Sequence, residues 1–244
     1  MVYPVTVMYC LVMQVKIKNE SEEFKMAKKV EEGVQLISIP EIKIKEANVT
    51  IIGDSPLLIN KFSEKAKREI LDKQMKKAKK AKEAKVPFYD FVQSLHWITP
   101  MPDFEDKTEE EIKEEFDKAI ENGAKFGFPT VGIKQSAISA AYRGGLAKNK
   151  VSLQGAFHIK GELAEIIGEL KMREDYCKIP MGGADIVYRG EFQQGWKSTF
   201  TVIYDEGVIS LEQIIQMINL GGFSVGIGDW RTEKGGNFGM FHCE

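Results

Sequence analysis

Cysteine and histidine are scarce in this chain of 244 residues, which has three of each. The cysteines, Cys10, Cys177 and Cys243, show no paired spacing, and no spacing of His, Cys and carboxylates fits a metal site. We therefore expect no metal and no cofactor, and a reducing, cytoplasmic setting.

The sequence also has no excess of positive charge. Its formal net charge is −2 and its isoelectric point is near 6.1, which argues against a uniformly basic nucleic-acid binder but not against a single basic face. Charge is segregated: residues 61–85 hold eleven Lys or Arg and four Asp or Glu, whereas residues 103–121 hold ten Asp or Glu and three Lys. Two such stretches can pair within the chain or join copies head to tail.

Long hydrophobic runs are missing as well. The apolar start, MVYPVTVMYCLVM, is too short to span a bilayer and lacks a basic segment and a small-residue cleavage site. We expect neither a signal peptide nor a membrane partner. Residues 1–40 are predicted to be an N-terminal extension, either a segment upstream of a start at Met26 or an arm that pairs with a neighbouring subunit.

Alternating apolar residues indicate two strands between Val34 and Ile52, broken at Pro40. A turn and a short apolar continuation, Leu57–Ile59, follow. A charged helical insertion then covers about residues 61–125. Its first part is a lysine-rich helix predicted over 64–85, and its second an acidic helix whose thin apolar stripe is Ile112, Phe116 and Ile120.

The remaining pattern mixes helices and strands. The predicted elements are a helix from Lys134 to Tyr142 that stops at Gly144-Gly145, a strand Val151–Ile159, a hairpin of Asp185–Phe192 with Trp196–Tyr204, a helix capped by Ser210 and a last strand Phe238–Cys243. This order predicts an α+β fold over residues 41–244: a ferredoxin-like (RRM-like) β-α-β-β-α-β domain with a large helical insertion after its first strand. The open face of such a sheet commonly binds single-stranded nucleic acid.

The segment Gly221–Phe241 contains seven glycines. Ordering glycine costs backbone entropy, so this density needs a reason. One explanation is a set of tight turns, with Trp230 packed on the sheet and Arg231 paired with Glu233 or Asp229. The other is a backbone that comes close to a ligand such as a phosphate chain.

Three segments occur in a telling order: VTIIGDSPLLIN (Val49–Asn60), FPTVGIKQSAISAAYR (Phe128–Arg143) and VGIGDWRTEKGGNFG (Val225–Gly239). They resemble the first strand, the Pro-turn into a helix and the glycine-rich loop of the RAMP superfamily, the RNA-binding proteins of CRISPR effector complexes. Over its whole length, the chain also resembles uncharacterised phage and prophage proteins that have the same glycine-rich C-terminal segment. Two departures stand out: Thr130-Val131-Gly132 replaces a frequent Gly-Ser-Ser run, and Asp229 and Glu233 put acids in the loop.

The resemblance implies an RNA-contacting subunit, often one that repeats along a guide strand. Basic side chains and loop amides would hold the RNA backbone, and Trp230 would stack on a base. The predicted nucleic-acid-binding residues are Lys134, Gln135, Arg143, Lys148, Gly226, Gly228, Trp230, Arg231, Lys234, Gly235 and Gly236.

The predicted function is non-catalytic binding of single-stranded RNA, or of single-stranded DNA, by a RAMP-like subunit that assembles into a ring or filament along the strand. A second hypothesis is a phage protein that mimics or blocks a host CRISPR complex through contacts with its subunits. A third is a metal-independent endoribonuclease, for which His158 and His242 are the candidate catalytic residues. Each histidine is otherwise a structural residue, because no partner base or nucleophile at a telling spacing accompanies it.

Overall fold

The computed structural model describes residues 41–77, 85–179 and 183–244, and within them the protein is a mixture of helix and sheet. The strands are β1 (Ile44–Gly53), β2 (Leu57–Ile59), β3 (His96–Trp97), β4 (Phe126–Pro129), β5 (Phe157–Ile159), β6 (Leu163–Glu165), β7 (Leu170–Ile179), β8 (Gly183–Phe192), β9 (Lys197–Asp205) and β10 (Phe241–Cys243). The helices are α1 (Glu64–Gln74), α2 (Pro87–Gln93), α3 (Glu109–Glu121), α4 (Thr130–Arg143), α5 (Lys150–Gln154), α6 (Leu211–Ser224) and a 3₁₀ turn at Thr232–Lys234. The extension predicted for residues 1–40 and the strand predicted before Pro40 lie outside the described residues.

The central sheet has the strand order β10-β1-β9-β5, and all neighbours in it are antiparallel. β1 pairs with β9 along nearly its whole length, from Ile44 opposite Asp205 to Ile52 opposite Lys197. Two smaller sheets, β2-β8-β7 and β3-β4-β6, are also antiparallel. The chain passes from the central sheet to a smaller one in the short turn between β1 and β2.

Alternation of side chains gives the central sheet one buried face. On β9, Ser198, Phe200, Val202 and Tyr204 are buried, as the sequence predicts, and so is Trp196 just before the strand. The apolar residues of this face share one core with α4 and α6. The indole of Trp196 also donates a hydrogen bond to the Ser55 carbonyl at 2.9 Å, which fixes the turn between β1 and β2.

Helix α6 contains the first two glycines of the glycine-rich segment, Gly221 and Gly222. The helix begins at the Ser210 capping box and continues to Ser224. A Cβ at Gly221 would lie 2.8 Å from the backbone nitrogen of Ala137 in α4, and one at Gly222 would overlap the Phe241 carbonyl of β10. The two glycines therefore allow α6 to pack directly on backbone.

Two strand predictions are also wrong. Lys150–Gln154 is helical because the Asn149 side chain accepts a hydrogen bond from the Ser152 amide at 2.9 Å and caps α5, so only Phe157–Ile159 remains a strand. β8 and β9 do not form the predicted hairpin. β8 pairs instead with β7, which the sequence analysis left unassigned, and β9 pairs with β1 and β5.

The charged insertion is only partly as predicted. The first helix of the lysine-rich stretch, α1, ends at Gln74, and Lys76 after it has a left-handed backbone with φ of 54°. Residues 78–84 of the predicted helix lie outside the described residues. In the acidic helix α3, Ile112 and Phe116 are buried but Ile120 is exposed. Among the described residues, the opposite charges of the two stretches meet in one exposed ion pair, Arg68 with Glu105 at 3.4 Å, which contributes little to stability.

The substitution Gly222→Ala tests the close packing of α6. We expect it to lower the free energy of unfolding by about 1–3 kcal/mol, since the added methyl group has no space beside Phe241. Gly155→Ala is the matched control: a Cβ there meets nothing within 4 Å, and stability should stay the same or rise slightly. Urea denaturation measures both. An unchanged midpoint for Gly222→Ala would contradict this packing.

Candidate functional site

A cleft of about 390 Å³ lies where the first half of α4, the end of β2 and the segment after α6 come together. Its wall is formed by residues of all three segments that resemble the RAMP superfamily. The lining residues are Leu58, Asn60, His96, Phe128, Pro129, Gly132, Gln135, Ser136, Ser139, Val225, Gly226, Ile227, Gly228, Asp229, Arg231 and Glu233. Folding thus brings together segments that lie far apart in the sequence.

Several predicted nucleic-acid-binding residues line this cleft. Gln135 reaches it from α4, and Gly226, Gly228 and Arg231 reach it from the glycine-rich segment. Side chains that the sequence analysis missed line it as well, chiefly Asn60, His96, Phe128, Ser136 and Ser139. For the two serines a signal was present, because a spacing of three residues places both on one side of a helix.

Close backbone contacts and left-handed backbone conformations explain most of the glycines in the glycine-rich segment. A Cβ at Gly228 would overlap the Leu58 carbonyl of β2, and Gly226 and Gly235 both have positive φ. The amides of Gly226, Gly235 and Gly236 donate to backbone carbonyls within the protein, at 2.9, 3.0 and 3.3 Å. The explanation by tight turns therefore fits these residues, and phosphate binding by these three amides stays a prediction that would require breaking the present bonds.

Trp230 does not pack into the core. Its side chain is 48% exposed, and its backbone φ of 53° is left-handed. A non-glycine residue in that conformation costs about 1–3 kcal/mol and is often found at functional sites. Trp230 itself does not line the cleft, but its chain neighbours Asp229 and Arg231 both do, so its backbone passes beside the cleft.

The arginines beside the cleft are paired with carboxylates. Arg231 donates to Glu233 from Nε at 3.1 Å and from Nη2 at 2.9 Å, and it also donates to the Gly228 carbonyl. Arg143 donates to the other oxygen of the same carboxylate. The hydrogen bond from Arg231, with a further one from Arg143, holds the pKa of Glu233 below its usual range.

A buried arginine joins the glycine-rich segment to the β7–β8 hairpin. The side chain of Arg189 on β8 is 4% exposed. Its Nη1 donates to Asp229 at 3.0 Å, and its Nε lies 3.2 Å from Asp175 of β7 in a geometry that gives an ion pair but no hydrogen bond. Arg189 therefore neutralises the acid of the cleft wall from inside the protein.

The predicted lysines lie away from the cleft wall. Lys134 donates to the Gln154 carbonyl at 2.7 Å and lies 3.3 Å from Nδ1 of His158. Burial lowers the pKa of this lysine, and the ammonium links α4 to α5 and β5. Lys148 and Lys234 are exposed, and neither lines the cleft.

The two candidate catalytic histidines lie on opposite edges of the central sheet. His242 is on β10, with its Nδ1 2.7 Å from Asp54, whereas His158 is on β5. Three strand spacings of about 4.8 Å separate these edges, or roughly 14 Å. The pair therefore cannot act as acid and base on a single bond. Among the described residues, no group of three or more His, Cys, Asp or Glu side chains is placed to hold a metal ion.

The outer face of the central sheet is polar. Thr50 and Thr199 share a hydrogen bond across the strands at 2.9 Å, and Thr201 donates to Asn48 at 2.9 Å. The Phe and Tyr side chains of the four strands are all buried: Phe157, Phe200, Tyr204 and Phe241. This face thus offers hydrogen-bonding groups but no stacking platform of the kind that RRM sheets present.

Comparison with known proteins adds little. No family model and no curated protein matches the sequence. Among solved structures, Cmr6 from Pyrococcus furiosus matches 83% of this chain and 99% of its own, with 9% identity and a TM-score of 0.31. The TM-score is too low for this similarity to carry an argument. None of the helices in the described ranges is long and apolar enough to cross a membrane.

The substitution Arg189→Met tests the buried link. It leaves Asp229 without its partner and Asp175 with Arg173 alone, and we expect the free energy of unfolding to fall by up to about 3–5 kcal/mol. Lys45→Met is the control, because Lys45 and Glu206 form an exposed pair, which contributes little to stability. Denaturant titration of both variants is the measurement. Equal, small effects would show that Arg189 does not hold the segment.

The lowered pKa of Glu233 predicts a pH dependence. A carboxylate with a lowered pKa stabilises the fold above its unfolded pKa, near 4.5, and loses that contribution as the pH falls through the lowered value. We expect the stability difference between the wild type and Glu233→Gln to be largest at neutral pH and to shrink below about pH 4.5. Unfolding titrations from pH 7 to pH 3 measure it. A constant difference would contradict the paired state.

Proposed function

We propose that the protein binds single-stranded RNA without cleaving it, as a RAMP-like subunit, through the cleft and Trp230. The observation that carries the proposal is Trp230 itself. A large aromatic residue is held half-exposed, on a strained backbone, between two residues that line a cleft where all three resembling segments meet. Base stacking on an exposed Trp would compensate for both costs.

We also propose that the central sheet and its two helices form a ferredoxin-like fold, which the order of the elements along the chain supports. The elements β1, α4, β5, β9, α6 and β10 follow one another as β-α-β-β-α-β. Residues from both helices share the core with the buried face of the sheet. The insertion would then comprise the elements between β1 and α4, and β6, β7 and β8 would form a second excursion between β5 and β9.

Pairing of charge limits how strongly this site can hold phosphates. Arg143 and Arg231 share one carboxylate, and the Lys134 ammonium is engaged inside the protein. We therefore propose that stacking on Trp230 supplies most of the affinity near the cleft, and that the lysine-rich insertion adds a salt-sensitive attraction. Assembly along the strand, CRISPR subunits as partners and a cytoplasmic location remain predictions.

Binding of a fluorescent single-stranded RNA, followed by anisotropy, tests the proposal. We expect Trp230→Ala to weaken binding by about 1–3 kcal/mol, or roughly 5- to 150-fold, because a stacked base loses its partner. Trp230→Phe should retain most of the affinity, since a ring remains.

Tyr176→Ala is the matched control for an exposed aromatic residue. Tyr176 is 64% exposed on β7, and strand alternation turns it away from the face on which Asp175 contacts Arg189. This variant should bind RNA as the wild type does. The proposal would be overturned if the Trp230→Ala variant bound the RNA as tightly as the wild type. It would also be overturned if the protein cleaved the RNA.

A further inference from the structure

We propose that the cleft receives one unstacked nucleobase of the bound strand, not a phosphodiester. The inference rests on the proposed RNA binding and names the group that enters this site. Its consequence is selectivity: binding would discriminate between bases at the one position of the strand that enters the cleft, whereas stacking on an exposed Trp alone tolerates any base.

Charge balance favours a neutral occupant. Each charged side chain of the cleft wall already has a partner of opposite sign: Asp229 has Arg189, and Arg231 has Glu233. A phosphate would have to compete with these carboxylates for the guanidinium groups. A nucleobase carries no charge and leaves both pairs intact.

Polar groups without partners line the same cleft. Ser136 is 3% exposed, and its buried hydroxyl has no hydrogen-bond partner among the described residues, a costly state for a buried polar group. The side-chain amides of Asn60 and Gln135 also make no hydrogen bond within the described part of the chain. Together they offer donors and acceptors, which is what the polar edge of a base requires.

The cleft also has an aromatic side. Phe128 and His96 meet edge to face, with ring centroids 6.4 Å apart, and both line the cleft. Burial, with the nearby charge of Lys61, lowers the pKa of His96, which favours the neutral imidazole. The volume of about 390 Å³ lies at the small end of ligand sites and suits a single base with part of its sugar.

Nucleosides test this proposal, because they carry a base and no phosphate. Each of the four ribonucleosides is titrated into the ¹⁵N-labelled full chain, and the side-chain amide signals of Asn60 and Gln135 are followed by NMR. Ribose 5-phosphate is the phosphate-bearing counterpart. We expect at least one nucleoside to shift both amide signals with a dissociation constant in the millimolar range, and ribose 5-phosphate to shift neither.

The variant Ser136→Ala gives a second readout. Removing an unpartnered hydroxyl should leave the fold intact and weaken the preferred nucleoside about fivefold or more. Ser198→Ala is the matched control, because Ser198 is also buried with an unpartnered hydroxyl but does not line the cleft. Equal effects of the two variants on nucleoside binding would overturn the proposal.

The outcomes separate this inference from RNA binding itself. Amide shifts with ribose 5-phosphate, or no shift with any nucleoside, overturn the base site. If RNA still binds in a Trp230-dependent manner in that case, the proposed function stands and only the base site falls. If nucleosides bind but RNA does not, the cleft is a nucleoside site and the proposed RNA binding falls.

Discussion

The cleft depends on one constraint, the close approach of the glycine-rich backbone to β2 and to itself. Gly228 lies against the Leu58 carbonyl, and Gly239 against the carbonyl of Ile227, at separations that exclude any side chain. The Gly239 amide donates to the Pro56 carbonyl at 2.8 Å, which secures the segment to the turn between β1 and β2. The glycines therefore shape the site without having to contact a ligand themselves.

Once the segment is fixed in this way, its charges must be neutralised locally. Asp229 faces the buried Arg189, and Glu233 accepts hydrogen bonds from two arginines. The acids that distinguish this loop from a simple phosphate cradle thus serve as partners of nearby cations. What remains available in the cleft wall and at Trp230 is neutral: an exposed indole at Trp230, a buried hydroxyl at Ser136 and two side-chain amides. This balance is why we favour stacking and base contacts over backbone phosphate contacts.

Local sequence signals predicted part of the fold, but they did not predict which strands pair across long stretches of the chain. The sequence shows where α4 ends and how Ser210 caps α6, because caps and apolar periodicity are local. It does not show that the turn at Gly195, with φ of 89°, carries the chain from β8 in one sheet to β9 in another. For this reason the predicted hairpin of these two strands is wrong. The cleft followed the same division: Gln135 and Arg231 were predicted as binding residues from the sequence and line it, whereas His96 entered it only through tertiary packing.

The central proposal is that RNA contacts the cleft side of the molecule. Cross-linking of a 4-thiouridine-containing RNA, followed by mass spectrometry of the modified peptides, tests this claim most directly. We expect cross-links within residues 126–143 and 225–236, which flank the cleft. Cross-links confined to the outer face of the central sheet, such as β9, would contradict it.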